Sequence, residues 1–287
     1  MPVFKSQSKQ IFIGLPVFNG DKYISQAIES VLSQTHTNFI LFISDNASTD
    51  KTKQICMKYE KQDSRVIYFK QDSNIGAKNN FLFLKKQSEK YNLGYFIFIA
   101  YDDYWSHDYL KVLQSSFKVD DFGLRGLTIN IDKNNNVVGT INQRSFKKGQ
   151  VKQVLFDNEK YCKGLYIYSL FDYKFFKNFD LADKFSNLHG ADVFLPIFFV
   201  EHGNLRVVSD QIHFYRTHNE ASSNLLGKKN FGLNRFLFYF IPIKHFLFLH
   251  NKLNTKLPIH IYFIKYIKLV LDFIFRVLIF LILDKKY

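Results

Sequence analysis

Between residues 10 and 105, short continuous apolar runs alternate with stretches that are apolar only at every third or fourth position. The runs are Ile11-Phe12-Ile13-Gly14-Leu15, Phe39-Ile40-Leu41-Phe42-Ile43, Val66-Ile67-Tyr68-Phe69 and Tyr95-Phe96-Ile97-Phe98-Ile99-Ala100. Rich in β-branched and aromatic residues, they predict four buried strands. The first should end at Pro16, which lacks the N–H a ladder needs. After it, Tyr23, Ile24, Ala27, Ile28, Val31 and Leu32 fall on one face of a helix. Ser48, Thr49 and Asp50 offer cap chemistry to a second helix carrying Ile55 and Tyr59. A third helix near residues 77–87 follows the loop Asn74-Ile75-Gly76. Strand and helix thus alternate at roughly thirty residues per unit, the mark of βαβ crossovers and a parallel sheet.

After Trp105 the rhythm changes. His107 to Phe117 predicts a helix, and Phe122–Ile131 and Val137–Ile141 predict a hairpin around Asp132-Lys133-Asn134-Asn135-Asn136. Leu165–Ser169 reads as a short strand, and residues 190–202 as a helix starting near Asp192 with Pro196 in its first turns. Leu205–Val208 reads as a last strand before the polar turn Tyr215-Arg216-Thr217-His218-Asn219-Glu220.

The candidate chemistry lies where the parallel strands end. Pro16-Val17-Phe18-Asn19-Gly20, Asp45-Asn46-Ala47-Ser48-Thr49-Asp50, Asn74-Ile75-Gly76-Ala77-Lys78-Asn79 and Asp102-Asp103 would all sit on the carboxyl edge of one sheet, where open α/β sheets bind ligands. Two adjacent carboxylates repel, so the Asp102-Asp103 pair calls for a cation; carboxylate with phosphate suits Mg²⁺ or Mn²⁺. Neither Gly-x-Gly-x-x-Gly nor a P-loop is present. Taken singly each segment is a turn. In this order, at four strand ends, they make a site.

The combination resembles the family-2 glycosyltransferases with the GT-A fold, in particular non-processive bacterial sugar transferases of surface polysaccharide assembly. Pro16–Gly20, Glu29-Ser30-Val31-Leu32-Ser33-Gln34-Thr35, Asp45–Asp50, Asn74–Asn79 and Asp102–Trp105 carry the likeness. It implies an α/β fold with a mostly parallel central sheet flanked by helices. It implies a nucleotide-sugar-binding half over residues 10–110 and an acceptor half over 111–222. The reaction implied is inverting transfer of one sugar from a nucleotide-diphosphate donor, UDP-sugar favoured, to a hydroxyl of a glycan or lipid-linked acceptor. By the resemblance, Asp45 meets the base, Pro16, Phe18 and Asn19 shape its pocket, and Asp102 contacts ribose or sugar. Asp103 would hold Mn²⁺ or Mg²⁺, with His218 reaching the metal or the diphosphate. Lys78 and Arg216 would meet phosphate, and Trp105 would floor the acceptor site. The proton acceptor expected at the start of a late helix is Asp192, with Asp183 as fallback; Ala191 stands where the family usually has a second acid. A sugar nucleotidyltransferase would need a Gly-rich, Arg-containing loop after the first strand, and Leu15-Pro16-Val17-Phe18-Asn19 is not one. An inactive membrane-docked subunit of an assembly complex is the other alternative, supported by Ala191 alone.

Composition adds a location. The chain is 47% hydrophobic, carries 33 Phe and 17 Tyr, and has a net charge of +14, which favours anionic partners. Residues 228–287 hold eleven Lys or Arg against Asp272 and Asp284, so 11 − 2 = +9 of that charge sits in the last segment. Lys265, Lys268, Asp272 and Arg276 share one side of a helix whose other faces are apolar, and no uncharged span of about 20 residues occurs. Residues 223–287 are therefore expected to form a C-terminal amphipathic helical appendage lying on an anionic membrane surface, with long aliphatic side chains that suit lipid better than nucleic acid. Two cysteines, Cys56 and Cys162, without metal spacing, and a polar start from Met1 to Gln10 complete a cytoplasmic expectation.

Overall fold

Four parallel strands form one half of the sheet: β1 (Ile11–Val17), β2 (Phe39–Asp45), β3 (Val66–Lys70) and β4 (Tyr95–Phe98). They are crossed by helices α1 (Ile24–Leu32), α2 (Thr52–Gln62) and α3 (Ala77–Ser88). The computed structural model describes residues 9–156, 163–184 and 195–217. The expected appendage, Asp192 and His218 lie outside these residues.

β1 is central, paired with β2 on one side and β4 on the other. Covered on both faces, it is a continuous apolar run rather than an alternating one. Ile11, Ile13, Leu15, Leu41, Ile43 and Ile97 pack with Ile24, Ile28 and Val31 of α1. On the opposite face an aromatic layer forms, with Phe96 5.5 Å from Phe12, 4.6 Å from Phe98 and 4.7 Å from Phe176. Pro16 does not end β1 as predicted, because the strand runs on to Val17. Pairing with β4 stops at Gly14↔Phe98, so a residue lacking N–H interrupts no bond on that side.

Beyond β4 the sheet turns mixed, in the order β3-β2-β1-β4-β8-β6-β9-β5 with β7 beside β6. Here β5 is Tyr104–Trp105, β6 Asp121–Ile131, β7 Val137–Ile141, β8 Leu170–Asp172 and β9 Asn204–Arg216. The β6–β7 hairpin is as predicted, and α4 (Tyr109–Ser115) lies inside the predicted 107–117 helix. The predicted strand at Leu165–Ser169 is a 3-10 turn over Lys163–Tyr168, and the strand follows it as β8. Leu165, Tyr166 and Ile167 are all buried, so their run of apolar side chains reports burial and no strand period. The described part of the late helix is Leu195–His202. β9 takes in both the predicted strand and the start of the predicted turn, so that Tyr215 and Arg216 are strand residues pairing Asn130 and Ile131 of β6.

Candidate active site

The loops after β1 and β2 are interlocked by their own polar side chains. The Asn19 N–H donates to Ser48 Oγ at 2.9 Å, the Gly20 N–H to Thr52 Oγ1 at 2.9 Å and the Asp21 N–H to Asp50 Oδ2 at 3.0 Å. In return Asn19 Oδ1 accepts from the Thr49 N–H at 2.9 Å. Asp50 also accepts from the Thr52 N–H at 3.0 Å, which gives it the helix-start role its sequence position suggested. Asn19 (φ 52) and Ala47 (φ 63) hold left-handed backbone at the tips of these loops. The loop after β3 joins through Asn46, whose amide donates to Asn74 Oδ1 at 2.9 Å and accepts from the Ile75 N–H at 2.8 Å. Three strand-end motifs are thereby fixed to one another on one sheet edge.

Asp45, expected at the base, is fully buried. Its Oδ1 accepts from the Ser48 N–H at 2.8 Å and its Oδ2 from the Tyr68 hydroxyl at 2.6 Å. The geometry gives it the job of shaping the turn, and Tyr68 is held protonated by burial and by Asp45. What this edge presents to solvent is Phe18, 43% exposed, with Asn19 beside it and Pro16 partly buried. Lys78 lies in the first turn of α3, partly exposed and without a side-chain partner among the described residues.

The two carboxylates after β4 have opposite environments. Asp103 is 1% exposed: Oδ1 accepts from the Arg216 backbone N–H at 2.9 Å, and Oδ2 lies 2.8 Å from His213 Nε2. Burial first, and the neighbouring Asp102 charge second, push its carboxyl up, against the donors from Arg216. Asp103, expected to hold the metal, is thus turned inward and engaged on both oxygens. Asp102 is the partly exposed member of the pair. No group of three or more His, Cys, Asp or Glu able to hold a metal occurs among the described residues. A divalent ion that keeps water and substrate phosphates needs only one or two protein carboxylates, and Asp102 alone satisfies that minimum.

Arg216, expected to meet phosphate, is turned inward as well. At 2% exposure its guanidinium is consumed inside the protein. Nε donates to the Asp102 carbonyl at 2.8 Å, Nη1 to the Asp132 carbonyl at 3.0 Å, and Nη2 to Gln26 Oε1 and Asn135 Oδ1 at 2.7 Å each. Its plane also lies over the Tyr23 ring, 4.7 Å away. It braces the site and is not displayed to a phosphate. Trp105, expected to floor the acceptor site, is 4% exposed and stacked on Tyr109 at 5.0 Å within the core. Its buried indole N–H finds no partner among the described residues. Asp183 lies on the short helix Leu181–Lys184, where its own Lys184 pairs with it at 3.4 Å.

Sequence reasoning missed Arg125 and His213, both fully buried behind Asp103. The available signal was a charged residue inside the apolar run Phe122–Ile131, where an unpaired cation is not tolerated.

This arrangement, interlocked turns at the carboxyl ends of parallel strands with an acidic pair closing the series, is that of a GT-A nucleotide-sugar domain. The family model for glycosyl transferase family 2 matches residues 12–179, more than half of the 287-residue chain, and the chain belongs to that family. Among relatives, TuaG of Bacillus subtilis, a glycosyltransferase assigned to teichuronic acid biosynthesis, is 35% identical over 98 residues, 33% of this chain and 37% of TuaG. The dTDP-rhamnosyl transferase RfbG of Shigella flexneri is 31% identical over 99 residues, 34% of each chain. The matching stretches therefore span well under half of these relatives. The S. aureus TarS 1–349 structure in complex with UDP-GlcNAc superposes with a TM-score of 0.63 over 90% of this chain and 70% of TarS, at 17% identity. A mannosyltransferase from Pyrobaculum calidifontis, solved with GDP-Man and Mn²⁺, gives 0.53 over 75% of this chain and 59% of its own at 9% identity.

Proposed function

We propose that the chain transfers a single sugar, with inversion, from a nucleotide-diphosphate donor to a hydroxyl of a glycan or lipid-linked acceptor, at the inner face of a membrane. The observation that carries this is the edge itself: Phe18 displayed to solvent and Lys78 at a helix start, on loops cross-bonded at 2.8–2.9 Å, with partly exposed Asp102 on the neighbouring turn, whose carbonyl Arg216 holds at 2.8 Å. Support for a UDP-sugar comes from TarS, which binds UDP-GlcNAc in the same fold.

The chain's own groups divide the work. The Phe18 ring offers a stacking surface to a base, with Pro16 and Asn19 forming the rest of its pocket. Lys78 adds its charge to the positive end of α3, suiting a diphosphate. Asp102 would hold Mn²⁺ or Mg²⁺, which when bound neutralises charge developing on the leaving diphosphate. Asp192 takes the proton from the acceptor hydroxyl as it attacks the anomeric carbon on the face opposite the leaving group, so one displacement inverts that centre.

The test is UDP release from a panel of UDP-sugars, with and without Mn²⁺, in the wild type and in Asp102→Asn, Asp103→Asn and Asp192→Asn. Asp102→Asn should lose metal-stimulated turnover by about 10²–10³-fold at unchanged melting temperature. Asp192→Asn should lose about 10²–10⁴-fold. Asp103→Asn should lower the melting temperature first. Wild-type turnover in Asp102→Asn sinks the assignment of the metal, and wild-type turnover in Asp192→Asn sinks that of the base.

A further inference from the structure

Behind the acidic pair runs a buried polar chain that the reaction does not touch. His213 sits on β9 with its ring fully buried. Its Nε2 is 2.8 Å from Asp103 Oδ2 and its Nδ1 is 3.2 Å from Arg125 Nη2. Arg125, on β6 and also fully buried, donates from the same Nη2 to Thr128 Oγ1 at 2.8 Å and from Nη1 to the Leu165 carbonyl. Thr128 Oγ1 in turn donates to Gln143 Oε1 at 2.8 Å.

The order of donors along this chain is forced. A guanidinium has only donors and does not deprotonate, so His213 Nδ1 must offer its lone pair to Arg125. A neutral imidazole with a lone pair on Nδ1 carries its hydrogen on Nε2, and that hydrogen points at Asp103. The other tautomer would set two N–H groups against each other and leave the Asp103 oxygen facing a bare nitrogen. A doubly protonated ring would put like charge against Arg125 where both side chains are fully buried.

Asp103 is the immediate neighbour of Asp102, the partly exposed member of the acidic pair. The turn bearing both is closed by the Asp103 N–H donating to the Ala100 carbonyl at 3.3 Å, and Arg216 grips the Asp102 carbonyl from the same side. We propose that Arg125 and His213 are positioning residues for donor binding: Arg125 fixes His213 as the Nε2–H tautomer, His213 holds Asp103, and Asp103 sets the direction in which Asp102 meets the diphosphate. This rests on the donor site proposed above. It adds a dependence of nucleotide binding on two side chains that touch no ligand.

The experiment uses the full chain with ¹⁵N-labelled histidine and has two independent readouts. The imidazole ¹⁵N spectrum of wild type, assigned by its loss in His213→Gln, should show His213 neutral, protonated on Nε2, and unchanged from pH 8 to pH 6. Arg125→Met should convert it to a tautomer mixture. UDP titration in Mn²⁺ should show affinity falling by about 10–100-fold in Arg125→Met and His213→Leu, the range seen when an orienting partner is removed. His213→Gln, whose amide can donate to Asp103 and accept from Arg125, should recover most of the loss. An Nδ1–H or charged His213 in wild type overturns the proposal whether or not the Arg125 variant folds. So does wild-type UDP affinity in His213→Leu. If wild type binds no UDP or other nucleotide, the donor site fails while the tautomer result still judges the relay.

Discussion

A guanidinium removed from water must find acceptors for its donors, and Arg216 finds them on α1, on the turn after β4 and on the β6–β7 hairpin. Replacing it removes the donor from the Asp102 and Asp132 carbonyls and from two amide oxygens; water can satisfy exposed Asn135, and each acceptor that water cannot reach costs about 1–3 kcal/mol. Arg216→Ala should therefore destabilise the chain by on the order of 2–4 kcal/mol in urea, and Arg216→Lys should recover little, since one ammonium cannot span the forked geometry. Loss of nucleotide affinity at unchanged urea midpoint would instead mean a ligand contact. The residue types at this edge were legible in the sequence, but their direction was not. Asp102 and Asp103 are identical in sequence, and only the pairing of β5 with β9 decides which one turns inward. That pairing joins residues more than a hundred positions apart, Tyr104 with Phe214 and Trp105 with His213, and no local pattern announces it. Arg216 and Trp105 lie elsewhere than expected for the same reason: a strand and a stacked core ring took positions that read locally as a loop and a platform.

At the level of elements, the β1–α1 and β2–α2 connections act as one unit, because each supplies side-chain acceptors for the other's backbone. Thr52 shows how much depends on this. Its hydroxyl is the acceptor for the Gly20 N–H, and both residues are buried. Gly20 itself has no room for a side chain, since a Cβ there would come within 2.6 Å of Val17 Cγ2 and 2.7 Å of the Tyr101 ring. Thr52→Val keeps the shape and removes the acceptor, so it should cost about 1–3 kcal/mol. Ala47→Gly should act oppositely, because alanine pays about 1–2 kcal/mol to hold left-handed backbone while glycine pays only its extra chain entropy, for a net gain of about 0.5–1 kcal/mol. Urea denaturation of both variants checks the pair; a Thr52→Val protein as stable as wild type would show the two loops are not coupled. The parallel half was readable because its strands are uninterrupted apolar runs and its helices carry a clear 3.6-residue stripe. The mixed half was not, because β8 has three residues and is preceded by apolar residues buried in a turn. Neither the two-residue nor the 3.6-residue period survives in so short a piece.

For the molecule as a whole the deciding quantity is where its charge lies. Residues 228–287 carry +9 of the total +14, leaving 14 − 9 = +5 for the 227 residues before them. No helix among the described residues is long and apolar enough to cross a membrane. The described residues lie almost wholly in one compact unit of the chain, so a chain ending at residue 222 should fold and keep its nucleotide-dependent thermal shift. Each Lys or Arg near an anionic leaflet contributes about 1 kcal/mol, an attraction that decays within a Debye length of about 8 Å at physiological ionic strength. The 287-residue chain should accordingly co-sediment with vesicles containing phosphatidylserine, and much less with pure phosphatidylcholine. The fraction bound should fall as salt rises from about 0.05 to 0.5 M, which shortens that length several-fold. The chain ending at 222 should stay in the supernatant throughout. Salt-insensitive binding would point to apolar insertion instead of surface attraction, and vesicle binding by the shortened chain would move the membrane contact onto the catalytic unit. If the location is as proposed, turnover on a lipid-linked acceptor in anionic vesicles should drop on truncation while donor hydrolysis in solution does not, since the donor edge is built entirely from residues before 217 and only access to the acceptor depends on the charge that follows.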